Sequence, residues 1–130
     1  MALNYKIIGS TLAASLLSVV IIVCSFYIGA GANEKALNLT ILVSGYALGW
    51  VIGILATPYG PSEEDRFSGY KQAISAFVGG YIISKIDNTL VNALSWENLH
   101  NTLAAFRLFS FVGAFTISLI ITFVYRRYAR

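Results

Sequence analysis

The amino-acid sequence predicts an all-α fold: an integral membrane four-helix bundle with its N- and C-termini both cytoplasmic. Three observations predict it. Hydrophobic residues make up 57% of the chain and charged residues only 12%, against about a quarter charged in an ordinary soluble domain. Mean hydropathy is +0.70 over 130 residues, and so short a chain has too much surface to hide that apolar content in one water-facing core. The charges also cluster between long apolar runs, each near the roughly 20 residues that cross a bilayer.

Four runs qualify, about 7–29, 37–56, 71–94 and 106–125, and together they form a single transmembrane domain. Ile7 to Gly29 carries no charge. It exceeds the apolar core of a signal peptide, about 7–15 residues, so it reads as a retained helix despite the cleavage-like Ala30-Gly31-Ala32. Leu37 to Ala56 is also uncharged and stops at Thr57-Pro58, where Pro58 and Pro61 bracket a Tyr59-Gly60 turn. Lys71 to Leu94 contains Lys85 and Asp87. A three-span alternative therefore lays the end of this segment on the outer surface. Phe106 to Tyr125 is closed by Arg126 and Arg127.

With four spans, Lys6, Arg66, Lys71, Arg126, Arg127 and Arg130 share one side, and only Lys35 and Arg107 lie on the other. The excess of cations in short loops marks the cytoplasmic side, which makes the chain a multi-pass protein of the cell inner membrane. Net charge is only +3, and its clustering at span ends fits the lipid bilayer as partner rather than nucleic acid. The single cysteine, Cys24, precludes an intrachain disulfide and reads as a small packing residue. The one histidine, His100, falls in a polar outer loop. No cofactor, metal or catalytic residue is expected, because no pair of ionisable groups has the spacing for acid–base chemistry.

The clearest motif is Gly45, Gly49 and Gly53. Glycines four apart share one helix face and let a second backbone come close, which is how helices associate in lipid. Weaker small-residue faces appear as Ser10, Ala14, Ser18 in the first helix, Ala76, Gly80, Ser84 in the third and Ser110, Ala114, Ser118 in the fourth. The glycine face either packs helices within one chain or forms the interface of a homo-oligomer.

The third helix is amphipathic in its outer half. At about 100° per residue, Ser84, Asp87, Asn88, Asn92 and Ser95 fall on one arc with Lys85 at its edge. An ionisable group inside the bilayer is costly, by about 2.5–3.5 kcal/mol, and so faces protein or water. Ser84, Lys85, Asp87, Asn88 and Asn92 are thus a candidate polar vestibule, unless the helix ends near Ser84 and the rest lies on the surface. Arg107 lies near the same face, within reach of Asp87 or Glu97.

Two charged clusters remain. Glu63, Glu64, Asp65 and Arg66, with Ser62 as an expected helix N-cap, read as a solvated helix start or as the docking point of a cytoplasmic protein partner. Arg126, Arg127 and Arg130 read as contacts to anionic lipid, each worth about 1 kcal/mol near the surface.

Small multidrug exporters are set aside because Ile7 to Gly29 holds no carboxylate. In size, span number and short cytoplasmic face, the whole chain resembles the small four-helix membrane subunits of bacterial phage-defence systems, in particular the Kiwa membrane subunit. Gly49-Trp50 through Thr57-Pro58-Tyr59 is the segment to compare first. The resemblance implies a membrane sensor that oligomerises and works with a cytoplasmic effector. The expected function is a non-enzymatic oligomeric inner-membrane sensor or signalling subunit. The alternative is a small oligomeric ion channel or transporter lined by the polar face of the third helix.

Overall fold

The computed structural model describes residues 5–76, 91–92, 94–95, 97 and 101–128. Its long elements are helices: α1 (Tyr5–Tyr27), α2 (Ala32–Ala56), α3 (Pro61–Ala76) and α4 (Thr102–Tyr128). By length and composition, α1, α2 and α4 are long and apolar enough to cross a membrane. Helix α3 is a polar helix of 16 residues with Glu63 and Glu64 in its first turn. It starts at Pro61, not Lys71, and positions 77–90 of the expected third span lie outside the described residues.

The helix starts follow from local chemistry. Gly31 precedes α2, and the Glu34 carboxylate reaches back to accept the Ala30 N–H at 2.7 Å. Pro61 opens α3, suited to the first helical position because it lacks an N–H that would go unused there. The Gly60 carbonyl accepts the Glu63 and Glu64 N–H groups, and the Glu63 carboxylate reaches back to the Tyr59 N–H. Ser62 therefore sits inside the first turn rather than capping it. Asn101 caps α4, its Oδ1 accepting from Leu103 and Ala104 at 3.1 and 3.3 Å. Between α1 and α2, Gly29 has φ +132°, a conformation that L side chains rarely adopt.

Helices α2 and α4 run parallel at a constant offset of 69 residues. Asn38 meets Arg107 and Thr57 meets Arg126 at that offset. The same offset places Gly45 at Ala114, Gly49 at Ser118 and Gly53 at Thr122. A Cβ on Gly45 would lie 2.7 Å from the Phe111 carbonyl oxygen, and one on Gly53 would lie 2.7 Å from the Thr122 Cβ. One on Gly49 would collide with the Phe115 carbonyl oxygen. All three glycines are buried. The glycine face is thus filled by α4 of the same chain and is not free for a second protomer. Ala114 and Ser118 supply the expected small face of α4, joined by Thr122.

Helix α1 runs antiparallel to this pair and packs more lightly. Its inward positions Ile7, Thr11, Ala14, Ser18, Ile21 and Ser25 alternate three and four apart, the spacing of one narrow helix face. The Tyr46 hydroxyl donates to Ser18 Oγ, and Ile21 lies where a side chain on Gly113 would point. Leu12, Leu16, Val19 and Val23 face outward and are well exposed. The start of α1 and the finish of α4 share one end of the bundle, with Lys6 Nζ 5.2 Å from the Tyr128 ring centre. Because α2 and α4 point the same way, the chain from Ala56 to Thr102 begins at one end of the pair and finishes at the other.

Candidate functional site

The end of α2 sets up the site. Thr57 closes the helix, its N–H on the Ile54 carbonyl at 3.2 Å and its hydroxyl on the Gly53 carbonyl at 2.7 Å. The next residue, Pro58, cannot continue the helix, so the Thr57 carbonyl is left to find a partner off the end of α2. The fixed register of α4 brings Arg126 to that point. Arg126 Nε donates to the Thr57 carbonyl at 2.6 Å, and Nη2 donates to Glu63 Oε2 at 2.7 Å. The guanidinium also lies over the Tyr59 ring, 3.9 Å from its centre.

One side chain from α4 therefore ties together the end of α2, the turn and the first turn of α3. A planar guanidinium can do this because its donors diverge while its face stacks. The side chains of Arg126 and Glu63 are 12% and 29% exposed. Arg126, expected at the lipid surface, is turned inward to Thr57 and Glu63. A cation after an apolar run turns inward when unmet carbonyl and carboxylate oxygens lie within its reach. Arg127 is exposed, 5.8 Å from the Phe123 ring centre, and Arg130 lies outside the described residues.

The expected docking cluster is divided. Glu63 is committed to Arg126, while Glu64, Asp65 and Arg66 are exposed on α3. Phe67, one turn after Glu63, is half-buried.

The opposite end of the α2–α4 pair has a matching anchor. Asn38 is wholly buried. Its Nδ2 donates to the Ile28 carbonyl at 2.6 Å, and its Oδ1 accepts from Arg107 Nε at 2.9 Å. Arg107 is thus turned to Asn38 rather than to Glu97, and Asp87 lies outside the described residues. The two arginine anchors are about 28 Å apart along α2, close to the roughly 30 Å hydrocarbon thickness of a bilayer. Sequence reasoning missed Asn38, although a lone amide at the edge of an apolar run was the available signal.

Of the candidate vestibule, Ser84, Lys85, Asp87 and Asn88 lie outside the described residues. Asn92 is exposed, and its carbonyl accepts from the Ser95 N–H and hydroxyl. Three shallow clefts of about 300, 420 and 370 Å³ surround the Arg126 corner. Among the described residues no three His, Cys, Asp or Glu are grouped to hold a metal ion.

Comparison with protein-family models, curated proteins and solved structures finds no match.

Proposed function

We propose that the chain is a non-enzymatic, oligomeric, multi-pass protein of the inner membrane that senses or signals through a cytoplasmic protein partner, with α3 as the contact. The observation that carries this reading is the Arg126 corner. It fixes a polar helix to the end of an apolar pair and leaves Glu64, Asp65 and Arg66 outward. A helix mounted in this way suits force or position passed between the bundle and a bound protein. The acid pair Glu64 and Asp65 suits a partner with a basic patch, since complementary charge sets specificity and encounter rate.

Topology supports the same reading. Parallel α2 and α4 are compatible with four crossings, in which both termini and α3 share one side. That side carries Lys6, Arg66, Lys71, Arg126 and Arg127, the cation excess of a cytoplasmic face.

The test pairs two measurements. Glu64→Lys with Asp65→Lys should abolish co-purification of the soluble partner while leaving the amount of protein in the membrane fraction unchanged. Liposomes holding the purified protein should pass no ions. Ion flux that is indifferent to the charge reversal and altered by Asp87→Asn would favour the channel reading instead.

A further inference from the structure

The Arg126 guanidinium is held by three groups from one short stretch of chain: the Thr57 carbonyl, the Tyr59 ring and the Glu63 carboxylate. A guanidinium suits such a set, because its donors diverge in a plane while its face stacks on a ring. These groups are also fastened by bonds that do not involve Arg126. Thr57 is fixed to α2 through its N–H on the Ile54 carbonyl and its hydroxyl on the Gly53 carbonyl. The Glu63 carboxylate accepts the Tyr59 N–H, which ties it to the residue that carries the ring. Pro58 and Pro61 fix two of the backbone angles between them. A site whose walls are held independently of its occupant loses little freedom when it is filled.

Arg126 comes from α4, 63 positions after Glu63. It fills this receptor and supplies none of its walls. Tyr59 and Glu63 also border an open cleft of about 420 Å³, lined with Gly60, Ser62 and Arg66. The exposed Glu64 and Asp65 follow Glu63 directly. A second guanidinium can therefore approach the ring and the carboxylate from outside, and its exchange for Arg126 replaces each bond with one of the same kind.

We propose that the 57–63 turn is a preformed arginine receptor, filled by Arg126 in the closed chain and taken over by an arginine of the cytoplasmic partner on docking. The takeover rests on the function proposed above, and the receptor does not. Exchange frees Arg126, so docking is felt at the end of α4.

Chemical rescue tests the receptor. Arg126→Ala removes the side chain beyond Cβ, and ethylguanidinium has the size and donors of what is lost. The full chain in phosphatidylcholine liposomes carries a nitroxide at Gln72→Cys, an exposed position of α3, with the single cysteine removed by Cys24→Ala. Arg126→Ala should increase nitroxide mobility, and millimolar ethylguanidinium should restore the slower motion. Ethylammonium, equal in charge, should not restore it, and adding Glu63→Gln should abolish the rescue. Should Arg126→Ala fail to fold, the same comparison is read as recovery of a single eluting species when the cation is present during purification. Unchanged mobility in a folded Arg126→Ala chain, no rescue by ethylguanidinium, or equal rescue by ethylammonium would overturn the receptor. The takeover is tested with octa-arginine, so that its failure is separate from the absence of a cellular partner. Arg126→Ala should bind octa-arginine about fivefold or more tightly than the unmodified chain, the low end of ordinary coupling between sites, and octa-lysine should show no such gain. An equal gain for both peptides, or none for octa-arginine, would overturn the takeover.

Discussion

Gly49→Ala adds one methyl group at the tightest point of the α2–α4 pair. The new Cβ would collide with the Phe115 carbonyl oxygen and lie 3.0 Å from both the Phe115 carbonyl carbon and the Ser118 Cβ. None of these atoms can rotate away, because they belong to the backbone or sit directly on it. Carbon atoms in good contact are about 3.5–4.0 Å apart, so the helices must part by about 0.5–1 Å. That movement stretches the Arg126–Thr57 and Arg107–Asn38 bonds, which stand at 2.6 and 2.9 Å. Overpacking of this kind costs about 1–3 kcal/mol, and the better helix propensity of alanine offsets about 1 kcal/mol at most. The control is Gly9→Ala in α1, where a Cβ meets nothing within 4 Å and the same propensity gain stands alone. Equilibrium unfolding in a fixed detergent, driven by added SDS, compares the two. The Gly49 variant should be less stable than the Gly9 variant by about 1–3 kcal/mol. Equal stability of the two would refute the close approach of α2 and α4.

Asn38→Ala should cost about 1–3 kcal/mol in the same assay, because the part-buried Ile28 carbonyl and the Arg107 guanidinium each lose a partner. Arg126→Gln should loosen α3 and speed trypsin cleavage at the exposed Arg66, and Arg126→Lys should restore little, since an ammonium cannot reproduce the two divergent bonds and the stacked face. Glu63→Gln should be milder by the same cleavage measure, because its amide oxygen can still accept the Tyr59 N–H.

Much of the fold was legible in the sequence. Apolar runs located α1, α2 and α4, although the helices overrun the expected spans at several ends. The uncharged run starts at Leu37, whereas α2 starts at Ala32. Hydropathy follows solvent preference, while a helix start follows capping, and Glu34 belongs to the helix because its carboxylate serves the Ala30 N–H. The small-residue faces of α2 and α4 were legible from their spacing of four, while Gly80 and Ser84 of the expected third helix lie outside the described residues. Which faces would meet was not legible, because spacing on one helix carries no information about its neighbour. The direction of Arg126 was also hidden. It depends on the α2–α4 register that brings it beside Thr57, a relation between residues 69 apart.

In the proposed function, α3 presents Glu64 and Asp65 to a soluble cytoplasmic protein. A photo-crosslinking residue at position Asp65, expressed in intact cells, tests it most directly. An adduct with one soluble protein is expected, lost when Glu64→Lys is added and absent when the probe stands instead at Leu12 on the outer surface of α1, 66% exposed. Adducts at Asp65 only with membrane proteins or with copies of the chain itself, or an adduct indifferent to Glu64→Lys, would contradict it.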